Sequence, residues 1–117
     1  MTETALTLSH TIVDTLEEKK GENILLLDLQ GVCSFTDYFV ICTGVSERTL
    51  RALAEEVRLR LKSRHSTTAR SVEGKASSGW VLIDYGDVIV HLFSPALRDY
   101  YRLDDLWRDG QILLYMQ

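Results

Sequence analysis

A chain of 117 residues with 45% apolar and 26% charged content has the size and composition of one globular domain, which excludes a disordered segment. Two cysteines, Cys33 and Cys42, without CxxC spacing or a second pair, exclude a zinc ribbon and predict two reduced, mostly buried thiols. A net charge of −4 excludes the usual basic nucleic-acid binder, and the longest wholly aliphatic run, Ile24–Leu27, is far below the ~20 residues of a membrane span.

The stretch Met1–Glu22 has no basic start followed by an apolar block, so a cytoplasmic protein is expected. From about Thr4 to Lys20, apolar residues Ala5, Leu8, Ile12, Val13 and Leu16 recur at helical spacing. Lys19 and Lys20 suit the C-terminal end of that helix, and Gly21 is the expected left-handed stop. Asn23–Leu29 is too short and aliphatic for a second helix and reads as a strand. Gly31 starts a turn, and Tyr38–Thr43 is a second β-rich run.

Gly44 breaks that run, and Ser46 is a good N-cap for a helix with the apolar stripe Leu50, Leu53, Ala54, Val57 and Leu61. Its basic side should face outward, with Glu56 and Arg60 as an i,i+4 pair. Residues 66–79 are polar and turn-rich, with one short strand near Arg70–Val72. Trp80–Asp84 and Val88–Phe93 flank Tyr85-Gly86-Asp87 and predict an antiparallel hairpin. Ser94-Pro95 opens a helix whose spacing continues through Leu103, Leu106 and Trp107, all expected in the core. Residues 109–117 form a C-terminal extension with no assigned structure. The succession predicts an α/β fold: one domain over 1–117, with a mixed sheet of about five strands flanked by helices.

Charge is unevenly spread. Between Glu47 and Arg64 six basic residues stand against three acidic ones, and between Asp84 and Asp109 six aspartates stand against three arginines. An acidic C-terminal third suits a basic partner, although a solvated surface would look the same. Asp37, Asp84, Asp87 and His91 are the residues that could suggest a metal or catalytic site. Asp84 and Asp87 lie at opposite ends of a tight turn, however, and His91 shares a strand face with Ile89 and Phe93, the placement of a hydrogen-bonded structural histidine. There is no Gly-x-Ser-x-Gly, and Gly44-Val45-Ser46 lacks the pattern of a phosphate loop. Trp80 starts its strand beside the small, polar run Lys75–Gly79, and Arg98, Tyr101 and Arg102 lie within one helical turn. Aromatics and arginines of this kind anchor protein interfaces.

Four segments carry a resemblance: Asp37–Ile41 leading to Thr43-Gly44; Glu73-Gly74 followed by Trp80; Asp84–Asp87 with Val90-His91 and Phe93; and RxYYxLxxLW from Arg98 to Trp107. In this order and spacing they resemble the iojap-like ribosomal silencing factors (RsfS) over roughly Leu6–Trp107. The resemblance implies a mixed α/β sheet related to nucleotidyltransferase folds, without that fold's active site, since no Asp-x-Asp pair follows Gly44-Val45-Ser46. It implies a non-enzymatic protein, with no cofactor and no metal. Its implied partner is the large-subunit ribosomal protein L-fourteen on the 50S subunit. Occupying that protein would block 30S–50S association and repress translation.

By position, the resemblance puts partner binding on Trp80, Tyr101 and Arg98, with Asp84 and Lys75 behind them. It leaves Asp37, Gly44, Gly86 and His91 to hold the fold: turn geometry for the glycines, buried hydrogen bonding for the other two. Asp104 replaces an expected glutamate, a shorter carboxylate that should weaken one contact. The basic helix leaves room for a minor contact with rRNA, and an apolar binding face predicts a homodimer when the partner is absent. A metal- or nucleotide-dependent transferase and an RNA-binding module are the rival classes.

Overall fold

A computed structural model describes residues 4–117, so the first three positions of the expected domain lie outside the described residues. Helix α1 (Ala5–Glu18) is followed by strands β1 (Glu22–Asp28) and β2 (Tyr38–Thr43), then helix α2 (Glu47–His65). Strand β3 (Ser71–Lys75) leads through one 3-10 turn to the hairpin β4 (Trp80–Asp84) and β5 (Val88–Phe93). Two short helices, α3 (Pro95–Tyr101) and α4 (Leu103–Leu106), precede β6 (Gln111–Met116).

The sheet has six strands in the order β3-β4-β5-β2-β1-β6, one more than expected. The additional strand is the unassigned C-terminal extension, which pairs antiparallel with β1, Leu26 opposite Leu114 and Leu25 opposite Tyr115. Among the described residues only β2 and β5 run parallel; every other pair is antiparallel. Both strands of the parallel pair are buried along their whole length, as expected of central strands covered on two faces.

Alternation along the strands divides the core in two. One face sends Ile24, Leu26, Val40, Cys42, Ile83, Val90 and Leu92 against Ile12, Val13 and Leu16 of α1 and Leu50, Leu53, Val57 and Leu61 of α2. The apolar stripes of both helices are therefore spent on this face. The other face gathers Leu25, Leu27, Leu29, Phe39, Ile41, Ile89 and Phe93, with Trp80, Leu82, Leu97, Leu103 and Trp107 half-buried around them. Among the described residues its helical cover is α3 and α4, neither of which contributes a fully buried residue.

Several local expectations change for physical reasons. Gly21 is not the left-handed stop of α1; Lys20 takes that conformation at φ 69°. A side chain at Gly21 would run into the Cys42 sulfur, so the glycine is required by close packing. Ser46 does cap α2, its hydroxyl accepting the Thr49 N–H at 3.0 Å. Arg60 leaves its helix neighbour Glu56 and pairs instead with Glu18 of α1 at 2.6 Å, tying the two helices together. The long helix expected after Ser94-Pro95 breaks at Arg102, whose φ of 49° separates α3 from α4. That break turns Leu106 outward: it is 69% exposed, not core. Leu103 and Trp107 do pack against the second apolar cluster.

Candidate partner-binding face

Strand register decides which side chains share the lightly covered face. Lys75 lies opposite Trp80, and Trp80 opposite Phe93; Leu82 lies between Glu73 and His91, and Asp84 between Ser71 and Ile89. Paired residues in a ladder point the same way. Trp80, Lys75 and Asp84, three of the residues expected from the sequence, therefore lie on one sheet face. Helix α3 adds a fourth. Tyr101 is 44% exposed, and its ring centroid lies 4.7 Å from that of Trp80. Phe93 closes the triangle, 5.0 Å from Trp80 and 6.3 Å from Tyr101. Beside these rings runs an open groove of about 290 Å³, lined by Glu73, Gly74, Ser78, Trp80, Leu82, Leu97 and Tyr101.

Arg98 has a different position. Its side chain is 13% exposed, and its three guanidinium nitrogens all donate inside the fold. Nη1 donates to the Asn23 carbonyl at 2.6 Å and to the Thr43 hydroxyl at 3.0 Å. Nε and Nη2 donate to the two carboxylate oxygens of Asp104 at 3.3 and 2.9 Å. The shorter carboxylate at position 104 still makes a two-point pair. This fork holds α3 and α4 to the end of β1 and β2, and so sets where Tyr101 stands.

The residues expected to hold the fold divide similarly. Asp84 accepts the Gly86 N–H at 2.7 Å, stabilising a turn in which Gly86 sits at φ 87°. Gly44 has no such φ; its lack of a Cβ admits Leu50 of α2, whose Cδ2 lies 2.8 Å from where that atom would be. Asp37 works through its backbone, donating to the Asp87 carbonyl at 3.1 Å while its own carbonyl accepts from Leu29 at 2.7 Å. His91 is buried, and burial pushes its pKa down to about 4. Its Nδ1 accepts the Trp80 indole N–H at 3.3 Å. Cys42 is buried, its thiol pushed up to about 12, and Cys33 is half-buried; both are free.

A family model described as ribosomal silencing factor during starvation matches residues 2–115. The chain belongs to the ribosomal silencing factor family. The ribosomal silencing factor RsfS of Bacillus subtilis is 38% identical over 96 residues, covering 82% of this chain and 80% of that one. The one from Chromobacterium violaceum is 40% identical over 100 residues, covering 86% and 81%. A crystal structure of a protein from Chromobacterium violaceum superposes with a TM-score of 0.86 at 36% identity, covering 97% of this chain and 92% of that one. Membership carries a role in ribosome silencing, a regulatory one by name.

Against that background Asp84 has a local structural explanation. Asp84 serves its turn, Asp37 is held there through its main chain alone, and among the described residues no three His, Cys, Asp or Glu side chains cluster as metal ligands. Nor is any helix of the described residues long and apolar enough to cross a membrane.

Some residues of this face escape a reading of the sequence. Glu73 and Leu82 join the groove because the register puts them beside Lys75 and Trp80, and alternation along β3 and β4 is the signal that finds them. Phe35, 60% exposed in the connection before β2, sits edge-on to Trp107 at 6.0 Å. On β6, Ile112 and Tyr115 extend the apolar area beyond β1. Neither of these has a local sequence signal, because each depends on a pairing between distant segments.

Proposed function

We propose that this chain silences ribosomes sterically, without a catalytic step, in the cytoplasm. The sheet face carrying Trp80 and Tyr101 docks on the large-subunit ribosomal protein L-fourteen of the 50S subunit, blocks 30S–50S association and so lowers translation. The observation that supports this most is the Trp80–Tyr101 pair, large aromatic area left open on a sheet whose opposite face packs against α1 and α2. Such aromatics, half-buried and rimmed by polar groups, are the usual hot spots of protein interfaces.

In this reading Lys75 and Asp84 contribute rim charges and Arg98 supports Tyr101 from beneath. The free protein covers the same apolar face by pairing with a second copy. Arg51, Arg58 and Lys62 on the outer side of α2 add a minor, salt-sensitive contact to rRNA.

Sedimentation of 30S and 50S subunits with excess protein tests the proposal. Wild type should travel with 50S and deplete 70S. Trp80→Ala should weaken binding by ~2 kcal/mol or more, a hot-spot value, while a thermal melt confirms that it remains folded. Normal 70S formation with the wild-type protein left at the top of the gradient would rule the proposal out.

A further inference from the structure

Trp80 carries a donor that must go somewhere. An indole N–H can only donate, and on a docking face it is a liability unless a partner atom is fixed for it. Trp80 and His91 are diagonal neighbours on adjacent strands, since Trp80 pairs with Phe93 and Leu82 with His91. The Trp80 Nε1–H reaches His91 Nδ1 at 3.3 Å. Because Nδ1 accepts, the proton of the neutral imidazole sits on Nε2.

That second nitrogen is buried and has no hydrogen-bond partner among the described residues. Instead the ring is walled by Phe39, 4.6 Å away and steeply inclined, and by Phe93, stacked at 6.0 Å. The histidine is only 4% exposed on a face whose other buried residues are mostly aliphatic or phenyl. Packing alone would favour a leucine or phenylalanine there, with no buried nitrogen to satisfy. Only the bond to Trp80 distinguishes histidine from those residues.

The geometry points to His91 as the positioning residue of the Trp80 anchor, a deepening that rests on the docking role proposed for that tryptophan. By holding the indole N–H, it turns the ring's one polar atom into the fold and leaves its hydrocarbon part on the face. The partner then meets an aromatic surface already in its bound orientation, with less rotamer entropy left to lose. Burial keeps the imidazole neutral, and its acceptor available, at ordinary pH.

Two substitutions separate this role from packing. His91→Phe keeps a ring in the core and removes the acceptor; His91→Asn places an amide oxygen close to where Nδ1 stood. The first readout is hydrogen exchange of the Trp80 indole N–H, told apart from Trp107 by assignment in a Trp107→Phe background. It should be slow in wild type, fast in His91→Phe and slow again in His91→Asn. The second is affinity for purified 50S subunits, which should fall about threefold to tenfold in His91→Phe, the size of one ordinary hydrogen bond, and return in His91→Asn.

Fast indole exchange in wild type, or unchanged exchange in a folded His91→Phe, would overturn the positioning role. So would wild-type affinity in His91→Phe while Trp80→Ala fails to bind. Should His91→Phe not fold, the wild-type and His91→Asn exchange rates still decide. Full binding by Trp80→Ala refutes the docking role instead, which keeps the two failures apart.

Discussion

Replacing Arg98 by alanine should release the α3–α4 segment without unfolding the sheet. The guanidinium donates to the Asn23 carbonyl and to the buried Thr43 hydroxyl, and both would lose a charge-assisted partner at the wall of an open pocket that water reaches. At roughly 1–1.5 kcal/mol each after water has competed, they account for about 2–3 kcal/mol. The pair with Asp104 adds less, about 0.5–1 kcal/mol, because that carboxylate is 36% exposed and solvent screens it. A total near 3 kcal/mol corresponds to roughly a hundredfold in a local opening equilibrium. Since α3 and α4 bury no residue fully, this loss should appear locally. Amide hydrogen exchange between Pro95 and Trp107 should accelerate up to that factor, while β2 and β5 keep their protection. Affinity for 50S should drop with it, because Tyr101 loses its support. Arg98→Lys, which keeps the charge but not the planar fork, should recover only part of the loss. Unchanged exchange over this segment in Arg98→Ala, or complete rescue by lysine, would refute the reasoning.

His91 predicts a pH dependence of stability. Its folded pKa of about 4 lies below the ordinary 6.5, so the unfolded chain takes up a proton that the fold refuses. Stability from this group is complete above about pH 7 and declines as pH falls toward 4. Between pH 7 and 5 the loss should be about 2 kcal/mol, read as a shift in urea midpoint that His91→Phe abolishes. Leu106→Ala should change stability by less than about 0.5 kcal/mol, since that side chain is exposed, whereas Trp107→Ala removes contacts to Phe35 and Phe39 and should cost about 2–3 kcal/mol; equal urea midpoints for the two would contradict the assigned break at Arg102. Gly74→Ala forces a side chain into φ 80° and against the Trp80 carbonyl. It should cost at least about 2 kcal/mol and loosen the β3–β4 edge, visible as faster exchange in Ser71–Lys75.

The parts of this fold legible in the sequence are those governed by short-range rules. The helical stripes of α1 and α2, the Ser46 and Ser94 caps and the Gly86 turn all depend on residues a few positions apart. What could not be read locally involved distant partners. Arg60 prefers Glu18 of another helix over a neighbour one turn away, and Gly21 is a glycine because of Cys42 on β2. The C-terminal segment Gln111–Met116 becomes a strand because β1 offers a free ladder edge, and β1 lies far away in sequence. Likewise, spacing continues through Leu106, but the left-handed turn at Arg102 resets the helix phase and sends that leucine to solvent.

The face that carries Trp80 follows from the same accounting. Two long amphipathic helices exist, and both lie against one side of a six-stranded sheet. The other side keeps seven buried apolar residues, with only seven- and four-residue helices to help cover them. So short a cover cannot reach across the full width of the sheet, and apolar side chains at its margin stay open: Trp80 and Tyr101 at one end, Ile112 and Tyr115 at the other. In the proposed docking role, this open apolar surface is what the partner covers. The charged residues around it, Glu73 and Lys75 on β3 and Asp104 and Asp105 on α4, favour a partner that also matches charge at the rim. Sequence alone could identify the aromatics; only the layer count shows why they remain open.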